Sequence, residues 1–124
     1  MSNDLEAVWE SYVSAWKATL VADKREFFST CLAPDCVYTD PLTLARGWHE
    51  LLEYMVGFHA QLPGVYFVTQ QFLSHPRRSV ARWKMVNAEK LTLDEGISYA
   101  EYDDAGRLSN IIGFFTPRGS FTNT

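Results

Sequence analysis

Asp40 is the residue of this sequence whose type and position best suit proton-transfer chemistry. It ends an apolar stretch, residues 37–39, and stands directly before Pro41. A carboxylate on the wall of an aromatic pocket is poorly solvated, which makes it a better proton acceptor near neutral pH. An Asp-Pro pair is equally typical of a turn, in which Asp40 would accept hydrogen bonds from the backbone N–H groups of residues 42–44. The sequence leaves both interpretations open.

His59 is the second candidate for acid–base chemistry among the three histidines. It shares the apolar face of a predicted helix with Met55, so its ring is expected to point inwards. There it could act as a pocket acid or base coupled to Asp40, or it could bind a buried backbone carbonyl. His49 and His75 are expected at the surface. Because the histidines are scattered, with no Asp or Glu at ligand spacing, we expect no metal site.

The charge and hydropathy of the chain argue against several classes of partner. The 124 residues carry a net charge of -4, and the longest basic run is the pair Arg77-Arg78. Nucleic acids and anionic membranes attract clustered positive charge, so neither is expected as a partner. No apolar run approaches the roughly 20 residues of a membrane span. The acidic residues 1–6 do not resemble a signal peptide, and we predict a cytoplasmic protein.

The two cysteines, Cys31 and Cys36, are predicted to have no chemistry. A disulfide is not expected in a reducing compartment, and a pair at this spacing without a nearby histidine is a poor metal signature. We expect buried or half-buried thiols. The sequence also lacks a Ser-His-Asp order, a phosphate-binding glycine loop and a nucleotide fingerprint, so no cofactor is predicted.

The first half of the chain has the periodicity of helices. Apolar residues recur at steps of three and four, and turn residues separate the periodic segments. The predicted helices cover residues 5–20, 23–33 and 48–62, with Pro34 ending the second. A short extended piece at 36–40 and a loop at 42–47 lie between the second helix and the third.

The second half changes to β-branched and aromatic runs separated by turn signals. The predicted strands cover residues 65–75, 79–89, 95–103 and 108–115. Consecutive strands joined by short turns form an antiparallel meander. Helices followed by strands predict a single α+β domain over residues 1–124, with the helices on one face of the sheet.

The order of these elements resembles the nuclear transport factor 2-like superfamily, in particular its SnoaL-like and ketosteroid isomerase-like branch. The segments that carry the resemblance are ESYVSAW at 10–16, APDCVYTDP at 33–41, ARGW at 45–48, LPG at 62–64 and EYDDAGRL at 101–108. The resemblance spans roughly residues 5–116. It implies a cone-shaped fold in which three N-terminal helices pack on a strongly curved antiparallel sheet and leave a cavity at the open end. It also implies a homodimer through the outer sheet face.

The same resemblance assigns catalytic roles to three residues. In ketosteroid isomerases, which are a standard example of tuned proton transfer, an Asp-Pro at this place supplies the carboxylate, which implies that role for Asp40. Tyr12 matches a first-helix tyrosine that donates a hydrogen bond to the developing oxyanion, although an ordinary core tyrosine fits the pattern as well. Ser98 stands where the isomerases carry a protonated aspartic acid. Serine is a weaker acid, so steroid isomerisation itself is not implied.

The wall of the pocket is predicted from helix faces, strand alternation and the resemblance. Trp83 and Met85 share one face of their strand, while Arg82 and Lys84 share the other, so the Trp83 face should look inwards. The full set of predicted lining residues is Trp16, Tyr38, Tyr54, Phe58, Trp83, Met85, Ile111 and Phe115. Such a wall suits a small apolar or cyclic organic ligand. The alternative is that these side chains fill the interior completely.

Three functions are compatible with the sequence. The first is a cofactor-independent isomerase, cyclase or dehydratase acting on an apolar carbonyl compound. In it Asp40 takes and returns a proton, Tyr12 and Ser98 hold the oxygen, and His59 orients or relays. The second is a ligand-binding domain without catalysis, and the third is a dimerising accessory module with a vestigial cavity.

Overall fold

The computed structural model describes residues 4–116, which form three helices and six strands. The helices are α1 (Leu5–Lys17), α2 (Val21–Cys31) and α3 (Gly47–Gln61). The strands are β1 (Leu32–Asp40), β2 (Thr43–Arg46), β3 (Tyr66–His75), β4 (Arg78–Val86), β5 (Thr92–Tyr102) and β6 (Leu108–Phe114). This arrangement confirms the predicted α+β class. Within residues 4–116 no helix is long and apolar enough to cross a membrane.

The strands form one sheet in the order β2-β1-β6-β5-β4-β3. Its last four members are the predicted antiparallel meander. One pair differs from the predicted antiparallel pattern, because β1 runs parallel to β6 with Val37 opposite Asn110. A parallel pair needs a long connection, and the whole chain between β1 and β6 supplies it. The predicted loop at 42–47 is also corrected, since β2 pairs with β1 as a hairpin.

α1 presents its large apolar side chains to the sheet. Its first turn is capped by Asp4, whose carboxylate accepts a hydrogen bond of 3.1 Å from the Ala7 N–H. Such a cap stabilises a helix by about 1 kcal/mol. The buried stripe follows the helical period that the sequence predicts, and its aromatic members are Trp9, Tyr12 and Trp16.

α1 ends at Lys17, one turn earlier than predicted. The Lys24 ammonium group donates hydrogen bonds to the carbonyl oxygens of Ala15, at 2.8 Å, and Ala18, at 2.6 Å. These carbonyls have no partner within a helix that stops here, so the lysine takes the place of a further turn. The chain then enters α2 at once, with Leu20 exposed at the junction.

α2 ends at Cys31, and the predicted stop at Pro34 is wrong, because this proline lies within β1. The apolar residues that continue the pattern after Cys31 belong to the sheet. Leu32 is opposite Leu108 of β6, and both are fully buried. Burial in the sheet therefore overrides the helical reading of this junction.

β4 shows how the sheet separates a cavity face from an outer face. Ala81 and Trp83 point inwards, and Arg82 points outwards, as alternation predicts.

The two cysteines are buried free thiols. Burial raises the pKa of Cys31 and of Cys36 to about 12, so both stay protonated near neutral pH.

Candidate functional site

A cavity of about 470 Å³ lies between the inner face of the sheet and the helices α1 and α3. Its volume is within the range of roughly 300–1,000 Å³ that is typical of small-molecule sites. Three of the predicted lining residues reach it from the helices: Trp16, Tyr54 and Phe58. Four reach it from the sheet side: Tyr38, Trp83, Met85 and Phe115.

Trp16 is the centre of the aromatic wall. Its ring meets Phe58 at 5.3 Å, Phe67 at 5.4 Å and Tyr54 at 6.0 Å, each nearly edge to face. Contacts of this geometry contribute about 0.5–1.5 kcal/mol each beyond the burial of their area. The wall is therefore held by its own packing.

Asp40 lies at the polar end of this wall and uses both of its carboxylate oxygens. Oδ2 accepts hydrogen bonds from the hydroxyl groups of Tyr38, at 2.6 Å, and Tyr54, at 2.8 Å. Oδ1 accepts hydrogen bonds from the backbone N–H groups of Leu42, at 2.7 Å, and Thr43, at 3.0 Å. The two interpretations of the Asp-Pro pair are thus combined in one residue, which caps the β1–β2 turn and lines the cavity.

The phenols that bind Asp40 are fixed as proton donors. Burial raises the pKa of both Tyr38 and Tyr54 well above the ordinary value, and the charge of Asp40 raises it further. Each hydroxyl therefore keeps its proton and directs it to Oδ2. The hydroxyl oxygen of each tyrosine retains lone pairs, so these groups offer acceptors rather than donors to a ligand.

Tyr12 and Ser98 also line the cavity, with Asp40. Tyr12 is buried, and burial raises its pKa well above the ordinary value, while a hydrogen bond with Trp16 acts in the opposite direction. Ser98 accepts a hydrogen bond of 3.0 Å at Oγ from the indole N–H of Trp83. Three of the four predicted catalytic residues therefore surround the same space.

His59 is not part of the cavity wall. Its Nδ1 lies 3.3 Å from the Lys24 ammonium group, and a further hydrogen bond joins the ring to the backbone of Trp16. Burial and the neighbouring Lys24 charge lower the pKa of His59. The inward direction predicted for His59 leads into the packing of α3 on α1 and α2, where the ring binds backbone and does not meet Asp40.

Ile111 is also absent from the wall. It is fully buried, opposite Tyr38 on one side and Ala100 on the other. It shares a face with Gly113, which does line the cavity, but it lies one step deeper, where the core is filled. Its place as a lining residue came from the resemblance, which could not locate the inner end of the cavity.

Several lining residues were missed by the sequence reading. Phe67 lies on the inward face of β3 and could have been found from alternation, and Trp9 belongs to the α1 stripe. Others surround the opening, among them Leu42, Glu53, Gln61 and Asp94. No sequence signal marks such residues, because an opening is defined by where separate elements diverge.

Within the described part of the chain, no group of three His, Cys, Asp or Glu side chains could hold a metal ion.

Solved structures similar to this one have low sequence identity and nearly complete coverage. A candidate isomerase of the SnoaL-like family from Agrobacterium tumefaciens is 19% identical, covers 90% of this chain and 97% of its own, and has a TM-score of 0.83. A nuclear transport factor 2-like protein of unknown function from Cytophaga hutchinsonii is 10% identical, with 98% and 97% covered and a TM-score of 0.72.

A candidate polyketide cyclase from Sinorhizobium meliloti is 15% identical, with 86% of this chain and 93% of its own covered and a TM-score of 0.69. No curated protein matches the sequence. The model of the SnoaL-like domain family matches residues 9–111, which is most of the chain. The chain therefore belongs to the SnoaL-like domain family and has its nuclear transport factor 2-like fold.

Proposed function

We propose that this protein binds a small, mainly apolar, cyclic organic molecule in the aromatic cavity. The volume of about 470 Å³ and the aromatic wall around Trp16 support this proposal. Asp40, Tyr38, Tyr54 and Ser98 form a polar group on a mainly aromatic wall, which suits a ligand that is mainly apolar and has one polar function. The free thiols of Cys31 and Cys36 agree with the further proposal that it works in the reducing cytoplasm.

We further propose that the protein is a cofactor-independent isomerase, cyclase or dehydratase in which Asp40 transfers a proton. The observation that carries this proposal is the carboxylate oxygen Oδ2, which two phenols fix in place on a mainly aromatic wall. Oδ2 takes a proton from the carbon next to a ligand carbonyl and later returns it to the product. Tyr12 and Ser98 line the same space and are the groups suited to hold the carbonyl oxygen as negative charge develops. The Agrobacterium and Sinorhizobium proteins, a candidate isomerase and a candidate polyketide cyclase, are consistent with this class.

One observation favours a second function, the binding of a ligand without catalysis. A carboxylate has about four acceptor positions, and protein donors already take four hydrogen bonds to Asp40. A ligand proton can reach Oδ2 only if Tyr38 or Tyr54 gives up its hydrogen bond. If neither does so, Asp40 serves only to fix the two phenols, whose hydroxyl oxygens then act as acceptors for the ligand.

Deuterium exchange distinguishes these functions without knowledge of the natural substrate. The protein is incubated in D₂O with 1-tetralone, a flat bicyclic ketone, and exchange next to the carbonyl is followed by ¹H NMR. We expect catalysed exchange that falls by about 100-fold or more in Asp40→Asn, the usual contribution of a general base. Asp35→Asn, on the exposed side of the same strand, is the matched control and should exchange at the wild-type rate.

The outcomes separate the two proposals. Exchange by Asp40→Asn at the wild-type rate contradicts the role of Asp40 as the base. Binding of 1-tetralone by the wild type without any exchange favours the non-catalytic function. Asp40→Asn keeps the shape of the side chain, so circular dichroism and thermal unfolding show whether a loss of exchange is merely a loss of fold.

We also propose a homodimer through the outer face of the sheet. This face exposes large apolar side chains from four adjacent strands, namely Leu73, Val80, Ile97 and Phe114. Ile97 lies opposite Phe114 and is 43% exposed, which is costly for a surface that stays in water. Light scattering after size-exclusion chromatography should give a dimer for the wild type and a monomer for Ile97→Lys. Leu91→Lys makes the same change from an apolar to a charged side chain at an exposed position outside this face. It should leave the dimer intact.

A further inference from the structure

Gly57 is a glycine in the interior of α3 that the packing of the protein does not explain. Glycine destabilises a helix relative to alanine, and a close contact or a positive φ usually accounts for its presence. Gly96 has such a contact, because an added Cβ atom there would lie 2.4 Å from Cζ2 of Trp83. Gly57 has neither, since its φ is negative. Within residues 4–116, a Cβ atom added to it would have nothing within 4 Å apart from its chain neighbours and its own helix backbone.

Gly57 lies on the rim of the cavity. It lines the cavity and is exposed to solvent, and the same holds for Glu53, four residues before it, and Gln61, four residues after it. Residues at this spacing lie on one side of a helix, and at 1.5 Å per residue the row is about 12 Å long. Glu53 and Gln61 carry long polar side chains, and the middle of the row carries none. We call this break in the rim, bordered by Glu53, Gly57 and Gln61, the Gly57 gap.

The Gly57 gap lies beside the aromatic wall. Phe58 directly follows Gly57 in the chain, and Tyr54 precedes it by about one turn of α3. The rings of Tyr54 and Phe58 meet Trp16 at 6.0 Å and 5.3 Å. A ring packed on this wall therefore has an edge near the gap. Atoms attached to that edge can extend outwards without meeting a side chain at position 57.

We propose that Gly57 is a specificity-determining residue, and that the Gly57 gap lets an uncharged polar chain attached to the bound ring pass from the cavity to solvent. The inference rests on the proposed binding of a cyclic molecule, and it specifies a ligand that extends beyond the cavity. Glu53 offers a carboxylate acceptor, and its contact with His49 at 3.3 Å leaves other acceptor positions open. The amide of Gln61 offers donors and an acceptor. A hydroxylated chain can therefore form hydrogen bonds at both ends of the gap.

The test compares two probes that share a ring and differ in their chain. 2-Methoxynaphthalene has a methyl group on its oxygen, and the 2-naphthyl ether of triethylene glycol has a long, hydroxyl-ended chain there. Dissociation constants for both are measured by isothermal titration with the wild type, Gly57→Phe and Gly57→Ala. Ala60→Phe adds an aromatic ring at an exposed position of α3 outside the cavity and is the matched control. Thermal unfolding of each variant verifies that it is folded.

We expect the wild type to bind the two probes with similar affinity, because the chain leaves the cavity unhindered. Gly57→Phe should weaken the chain-bearing probe about tenfold more than 2-methoxynaphthalene, since the chain can pass only by displacing the new side chain. Ala60→Phe should leave the ratio of the two dissociation constants at the wild-type value. Gly57→Ala should raise the midpoint of thermal unfolding by about 3 °C, because it replaces a helical glycine without creating a clash.

Three results would overturn the inference. One is a wild type that binds 2-methoxynaphthalene but not the chain-bearing probe. Another is an unchanged ratio of dissociation constants in Gly57→Phe, or an equal change of that ratio in Ala60→Phe. The third is a lower unfolding midpoint in Gly57→Ala, which would show that packing requires the glycine. Each of these rejects the gap and retains the cavity, whereas a wild type that binds neither probe rejects the proposed binding function and the inference with it.

Discussion

Two charged side chains, Asp40 and Lys24, lie near Trp16, and each makes several hydrogen bonds within the protein. Asp40 accepts from two phenols that belong to the aromatic wall and from two backbone N–H groups. Lys24 donates to the carbonyls of Ala15 and Ala18, which flank Trp16 in the chain, and contacts His59. The Lys24 side chain is almost completely buried, at 1% exposure, whereas Asp40 is only half-buried and lines the cavity.

The difference shows that burial and a shifted pKa do not by themselves mark a reactive group. Burial lowers the pKa of Lys24 to about 8, the type of shift that often accompanies catalysis. Yet all three donor positions of its ammonium group face protein acceptors, and Lys24 does not line the cavity. Asp40 is the better candidate for chemistry because it lines the cavity together with three of its four partners, Tyr38, Leu42 and Tyr54. The Lys24 cluster, which we define as Lys24, Ala15, Ala18 and His59, holds the three helices together. The side chains around Asp40 line the cavity instead.

The largest expected effect on stability comes from Lys24→Met. The variant keeps the length of the side chain and leaves the carbonyls of Ala15 and Ala18 without donors. Each hydrogen bond to a charged group contributes about 1.5–3 kcal/mol, so we expect a loss of about 3 kcal/mol in the free energy of unfolding, measured by urea denaturation. Lys90→Met, at an exposed turn, is the control and should change it little. A cost below about 0.5 kcal/mol for Lys24→Met would contradict the structural role of the cluster.

An intermediate effect is expected from Tyr54→Phe, which removes one of the two hydroxyl donors to Asp40 Oδ2. The free energy of unfolding should fall by about 1.5 kcal/mol, since the lost hydrogen bond has a charged acceptor. The other phenol still orients the carboxylate, so deuterium exchange into 1-tetralone should stay within about tenfold of the wild type. If Tyr54→Phe abolishes exchange as completely as Asp40→Asn, the carboxylate works only when both phenols hold it, and the prediction that Tyr38 alone can orient it is wrong.

The smallest effect is a dependence of stability on pH that belongs to the Lys24 cluster alone. The pKa of His59 is lowered in the folded protein, so below its ordinary value, about 6.5, the unfolded chain binds more protons than the folded one. Stability contributed by neutral His59 is therefore complete above about pH 6.5 and is lost as the pH falls through the lowered folded pKa. The midpoint of urea unfolding should decrease between pH 7 and pH 5, and His59→Gln should flatten this decrease.

His49→Gln provides the control for the histidine prediction. His49 is exposed and pairs with Glu53 at 3.3 Å, a surface contact of small energetic value. Its removal should leave the pH dependence of the wild type in place. An equal flattening by His49→Gln would show that the effect does not originate in the Lys24 cluster.

The sequence was most informative where a pattern is local. Periodicity predicted α1, α3 and the four-strand meander, because burial of one face imposes a repeat of 3.6 or 2 residues. Asp40 was recognisable because a carboxylate interrupts an apolar strand before a proline. Lys24 was not, since it lies among charged residues of α2 and reads as a solvent-facing lysine. Its burial depends on where α1 ends, which is a property of the packed helices.

His59 and Ile111 show a second limit. Both were expected to point inwards, and both do. At these positions of α3 and β6, however, the interior is filled by other side chains and the cavity lies elsewhere. Direction follows from the chain itself, whereas the position of an empty volume depends on how several elements fail to fill it. The β1–β6 pair was unpredictable for a related reason, since no repeat in the sequence records which strands become neighbours.

The parallel pairing of β1 with β6 has a consequence for the order in which the protein is built. Val37 finds its partner in Asn110, so a nascent chain must expose almost the entire sequence before β1 can join the meander. Pairings between such distant segments form late and slowly. Tyr38 and Asp40 come from one side of this junction and Gly113 from the other. The part of the cavity formed by these three residues is therefore among the last to assemble. A bound ligand that contacts both strands would stabilise the β1–β6 pairing.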